Sequence, residues 1–252
     1  MTGAVQPLTQ PPATGGRPSG AGRHGGRRRL AVLPAAAGIG YLAVWIIGLL
    51  AWPSNLALDA TNAQVATAYR VHSAQAAIQI VLVEGLAGLL LGVVLWRLLT
   101  SATGTRWRAA ATATALAVLL SVAQSVLGLV LVAAASHLDI TRSGVLYDVF
   151  NRMDGVKMLA IAGVAAYVAT SHSGGLPVLA RWLRAVAALT ALALVLSGGT
   201  YLLLAGSAAW TVYLSGPLLL LWITATGVWL RASGAERSPV NPSAQRHRSP
   251  RS

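Results

Sequence analysis

The stretch IVLVEGLAGLLLG, residues 80–92, is hydrocarbon apart from one carboxylate, Glu84. Similar apolar runs recur along the chain. Several reach about 20 residues, the length that carries an α-helix across a hydrocarbon core about 30 Å thick. Of the 252 residues, 55% are hydrophobic and 10% charged, against about 25% charged in an ordinary soluble domain. The composition therefore predicts an all-α chain: a polytopic membrane helical bundle of about six transmembrane helices, with the bilayer as its first partner.

Working outward from residue 80, the apolar runs place spans near Leu30–Trp52, Ala74–Leu99, Ala109–Ala135, Gly155–Ser171, Ala185–Ala205 and Trp210–Leu230. They divide the chain into a basic N-terminal tail (1–29), a transmembrane domain (30–231) and a basic C-terminal tail (232–252). The tails are rich in Gly, Pro, Ser and Arg and lack apolar periodicity, so they are expected to be disordered. Arg27, Arg28 and Arg29 abut an apolar run too long for a signal peptide, which reads as a first span with a basic anchor.

Charge sets the orientation. With the N-terminus inside, fifteen of the nineteen basic residues lie on the cytoplasmic side, and only Arg70, Arg142, Arg152 and Lys157 lie opposite. This asymmetry predicts that both termini are cytoplasmic and that the chain is a multi-pass protein of the cell membrane. Trp52 and Trp210 fall at the outer interface; Trp96, Trp107, Trp182 and Trp229 fall at the inner one, as an aromatic belt requires. The abundance of Arg, Ala and Gly suggests a GC-rich bacterial genome.

Two outer loops carry local signals. Thr61 and Gln64 form a capping-box pattern, predicting a helix that runs from there into the second span. Asp148 and Arg152, four apart, predict a helical pair in an interfacial turn before the fourth span.

Several function classes are excluded or disfavoured. The net charge of +13 sits in tails and short loops rather than in a folded basic domain, which argues against nucleic acid. Cysteine is absent, which removes disulfides, thiolate metal sites and a Cys nucleophile. The histidines lie in tails or at membrane edges, so no haem pair exists. His72 and His137 share the outer side with Asp139, but surface histidines are far commoner than metal ligands. Neither a metal nor a cofactor is expected.

The polar residues within the spans are the candidate site. Glu84 lies thirteen residues before Arg97, about 20 Å along a helix rising about 1.5 Å per residue. On a helical wheel it shares a face with Gly88 and Gly92, beside Gly85, so it points at protein. Ser121, Gln124 and Ser125 in the third span match its depth, as does Lys157 in the fourth, with Asp154 one turn further out. The expectation is an outward-opening polar pocket formed by Glu84, Lys157, Asp154, Ser121, Gln124 and Ser125. Ser197, Thr200 and Tyr201 add polarity in the outer half of the fifth span. A charge at membrane depth costs roughly 2.5–3.5 kcal/mol on insertion scales, so it needs a partner or water.

Four stretches, taken in order, carry a resemblance: DATNAQVATAYRVHSAQ, LVEGLAGLLLG, GGLPVLARWLRAV and GPLLLLWITATGVWLR. Across residues 30–231 the chain resembles the bacterial six-span membrane proteins catalogued as DUF 4386, a family without an assigned reaction. The resemblance implies architecture and carries no site residue. Three functional readings follow from the residues. One is an accessory or ligand-binding membrane protein with a pocket for a small lipophilic ligand. Another is an intramembrane enzyme on a lipid or isoprenoid, with Glu84 as the catalytic general acid. The third is a small proton-linked transporter. The oligomeric state stays open.

Overall fold

In a computed structural model, residues 23–52, 56–100, 102, 106–171 and 179–236 are described. Of the expected tails (1–29 and 232–252), residues 1–22 and 237–252 lie outside the described residues. Six helical segments are long and apolar enough to cross a membrane: Val32–Ala51, Ser73–Leu99, Arg106–Ser136, Ile140–Thr170, Arg181–Leu203 and Gly206–Ser233.

Helix α1 spans Arg23–Ala51. It therefore includes residues 23–29, which composition had placed in the tail. Arginine is a good helix former, and the helical ladder continues past the apolar run. After a linker come α2 (Asn62–Val71) and α3 (Ser73–Gln79). The second span then passes through a π-helical turn (Ile80–Leu86) into α4 (Ala87–Leu99). The remaining spans are α5 (Arg106–Ser136), α6 (Ile140–Thr170) and α7 (Arg181–Leu203), followed by a 3-10 turn (Gly206–Thr211) that leads into α8 (Val212–Glu236). Helix α8 thus also runs past the expected boundary at Arg231.

The spans close into a ring in chain order. Each packs on its sequence neighbours, and α8 returns to pack on α1. Between helices in lipid, association rests on van der Waals packing and polar contacts, and small residues let backbones approach. Two glycine seams show this. At α6–α7, Cβ atoms added to Gly155 and Gly198 would lie 2.7 Å and 3.0 Å from each other's carbonyl oxygens. At α1–α8, a Cβ on Gly38 would lie 3.2 Å from the Thr224 carbonyl and 3.3 Å from the Gly227 Cα. The Thr224 hydroxyl donates to the Gly38 carbonyl at 3.2 Å. Outside the ring, Leu119 and Leu192 are 67% and 61% exposed. Such surfaces suit acyl chains and not water.

Two expectations in the outer region need correction. Thr61 does cap α2 with both bonds of the capping box, but the helix does not run on into the span. The backbone breaks at His72 (φ −114°, ψ 33°), and α2 lies over the outer ends of α5 and α6. The fourth span does not begin near Gly155 after an interfacial turn. It is continuous from Ile140, because Asp139 caps it by accepting from the Arg142 amide at 3.0 Å. The polar residues that suggested a break sit instead on a helix long enough to leave the bilayer. Asp148 and Arg152 lie one turn apart on it, with no ion pair between them.

Candidate functional site

Glu84 lies within the π-helical turn of the second span. A π turn holds one extra residue, is rare, and is found mostly as a local distortion at functional sites. Here the Ala87 amide donates to the Leu82 carbonyl. Below the turn, the glycine stripe meets α5 as the wheel predicts. A Cβ on Gly85 would lie 3.1 Å from the Ser125 hydroxyl, one on Gly92 would lie 2.6 Å from Val118, and Gly88 faces Ser121. The glycines bring the second span against α5 and leave Glu84 facing the interior of the ring.

Lys157 reaches that interior from α6. Its ammonium donates to Glu84 Oε2 and lies 2.7 Å from Asp154 Oδ1, on the preceding turn of its own helix. Among the described residues these are the two ion pairs. The backbones of α6 and the second span do not touch, so the Lys157 side chain bridges the ring. The three charged side chains retain only 11–15% of their surface. Beside the site, α2 packs on α5 and α6.

Gln124 joins the triad and the two serines do not. Gln124 is fully buried; its amide nitrogen donates to the Phe150 carbonyl at 3.2 Å and to Asp154 Oδ1 at 3.5 Å. Its Oε1 is buried without a partner, as is Nδ2 of Asn151 on α6. Ser125 donates to the Ser121 carbonyl of its own helix at 3.1 Å, and both serines pack on the glycine stripe. On the fifth span, Ser197 bonds Ser215 at 2.9 Å and Thr200 lies 3.4 Å from the Thr211 hydroxyl. These hydroxyls tie α7 to the last span and leave the triad alone.

Tyr41 of α1 was not foreseen. It is 2% exposed and packs in the main buried core of the ring. Its sequence signal was only a phenol in an apolar span. By direct contact the polar layer draws on three walls of the ring: Glu84, Gln124 and the Asp154–Lys157 pair.

The end of the ring beside α2 carries an aromatic cluster. The Trp52 and Tyr69 rings stand edge to face at 4.9 Å, and Tyr69 meets Tyr147 at 6.2 Å. Tyr147 donates to the Ala57 carbonyl at 3.2 Å, fixing the chain that leads to α2. Burial pushes the Tyr69 phenol well above its usual range, with the neighbouring Tyr147 adding to the effect. Tyr69 therefore packs as a neutral ring at every physiological pH. Among the described residues, no three His, Asp or Glu side chains converge as a metal would need; Asp139, a possible partner of His72 and His137, is engaged as the α6 cap.

These features define an all-α membrane protein: a ring of six apolar spans around a buried, charged layer. No family model, curated protein or solved structure matches the chain. Its chemistry is therefore argued from its own residues.

Proposed function

We propose that this is a multi-pass cell-membrane protein with both termini cytoplasmic, whose Glu84–Lys157–Asp154 layer binds a small lipophilic ligand carrying one positive charge. One observation carries the reading: a single ammonium serves two carboxylates at membrane depth. With all three groups ionised, the triad holds one uncompensated negative charge. Such a charge is costly in hydrocarbon, and a cationic ligand would neutralise it. The orphaned Gln124 Oε1 is a further acceptor beside it. The ligand would enter beneath α2, which the break at His72 separates from the span.

The same surplus charge favours one second reading, proton-linked transport, in which the occupant is a proton. The general-acid reading loses support, because the Glu84 carboxylate already accepts from Lys157. The order of the four resembling stretches supports kinship with the DUF 4386 proteins, and the arginine asymmetry supports the orientation. An alkaline phosphatase fused after Arg231 should be inactive; an active fusion would reverse the topology.

The binding test uses the purified full chain in detergent, titrated with hexylammonium against uncharged hexanol. Hexylammonium should raise the melting temperature of the native protein, and Glu84→Gln, which removes the surplus charge, should abolish the rise. An equal rise in Glu84→Gln, or none in either protein, would contradict the reading. A melting temperature that responds to pH alone, and loses that response in Glu84→Gln, would select the proton.

A further inference from the structure

A second site lies at the opposite end of the bundle, between the last turn of α6 and the first turns of α7. A cavity of about 360 Å³ is lined there by Ala169, Arg181, Arg184, Ala185 and Ala188. Its walls are alanine methyls and its polar groups are two guanidinium ions. Arg184 is half-buried, and its Nε is enclosed without a hydrogen-bond partner. A buried guanidinium N–H left unpaired is costly, so the site favours an acceptor.

No described residue supplies that acceptor. Of the six acids, Asp59, Asp139 and Asp148 lie toward the other end, Glu84 and Asp154 lie in the central layer, and Glu236 is the last residue of α8. Among the described side chains, no carboxylate pairs with Arg181 or Arg184. An anion from outside fits. The planar fork of arginine matches two oxygens of a phosphate better than any other common anion-binding side chain does. The first turn of α7 has no side-chain cap; the Leu183 and Arg184 amides donate to the Ala180 carbonyl, which leaves the Arg181 and Trp182 amides as donors facing the same end. Trp182, in that turn, is 52% exposed, as a residue seated at the headgroup level would be.

We propose that Arg181 and Arg184 bind a phosphate group, supplied by the headgroup of an anionic phospholipid. Three features favour a lipid: the alanine walls suit the start of an acyl chain, the cavity sits at the end of two spans, and Trp182 marks the interface. The site is independent of the Glu84 layer and of the orientation of the chain.

The test is native mass spectrometry of the full chain in detergent with phosphatidylglycerol, and with diacylglycerol as the same tails without phosphate. Phosphatidylglycerol should bind and diacylglycerol should not. Arg181→Gln with Arg184→Gln should weaken binding at least about tenfold, as expected for losing several charge-assisted bonds. Arg106→Gln with Arg108→Gln removes the same charge from a neighbouring loop and should leave binding within about twofold of native. Arg184→Lys keeps the charge but loses Nε, and should fall between. Displacement of the lipid by millimolar inorganic phosphate would support the same site with a soluble source. Equal weakening by the two double variants, or equal binding of diacylglycerol, would overturn the proposal, since a diffuse basic surface or the tails alone would then explain it.

Discussion

The central layer and the α1–α8 seam both hold spans together in a medium that offers no water, and they do so by opposite means. At the seam, Gly38 and Gly227 let two backbones meet, and Thr224 adds one hydroxyl bond to a carbonyl. The contact is neutral and short in reach. In the central layer the second span and α6 stand apart, and Lys157 crosses the gap to Glu84 while holding Asp154. The difference teaches where function is to be sought. Close packing is the cheaper way to join helices in lipid, and the ring already closes through its neighbouring pairs without a cross-link. A charged bridge with a surplus carboxylate is more than packing requires.

The largest effect should come from Lys157→Met, which strands two carboxylates. Breaking a buried pair costs roughly 3–5 kcal/mol in soluble proteins, and the melting temperature in detergent should fall accordingly. A near-native melting temperature would make the layer no more than a wet surface. Next is Gly227→Val at the seam. A Cβ there runs into the Pro34 carbonyl and lies 3.1 Å from the Gly38 Cα, so backbone must move. Overpacking of this kind costs about 1–3 kcal/mol. The loss should leave hexylammonium binding intact in whatever protein folds; loss of binding with unchanged stability would erase the distinction between the two regions. The smallest effect is Thr61→Ala, which removes the α2 cap at a cost of about 1 kcal/mol. It should speed amide exchange within α2 and leave the exchange of α5 and α6 unchanged. Faster exchange throughout would show that α2 is integral to the ring and not a cover over it.

Much of this was legible in the sequence, for identifiable reasons. Glu84 and Lys157 were matched by counting rise from the inner ends of their spans, Arg97 and Ser171, and a rigid helix makes depth additive along the chain. The Gly85–Gly88–Gly92 stripe and the Thr61–Gln64 box are short-range patterns, and both appear. The π turn at Ile80–Leu86 was not legible. It inserts one residue into a turn whose side chains are almost all aliphatic, and hydrophobic periodicity cannot register it there. The continuity of α6 was hidden by polar residues at 148, 151 and 152, of which Asp148 and Arg152 are exposed and Asn151 is buried. Ser121 and Ser125 were placed in the pocket by depth and face; rotamer and back-bonding to their own helix decided otherwise. Tyr41 required knowing that α1 closes the ring, a long-range fact that no local pattern carries.

The central claim is that one lysine is shared by two carboxylates, and a mutant cycle on melting temperature in detergent tests it most directly. Glu84→Gln and Asp154→Asn each leave Lys157 one carboxylate, so each should lower stability far less than Lys157→Met. Adding Glu84→Gln to Lys157→Met should recover part of the loss, because Asp154 alone then remains stranded. Adding Asp154→Asn as well should recover most of it. If instead the losses add strictly, with every further substitution lowering the melting temperature by its own amount, the three side chains do not share a charge and the bridge across the ring does not exist.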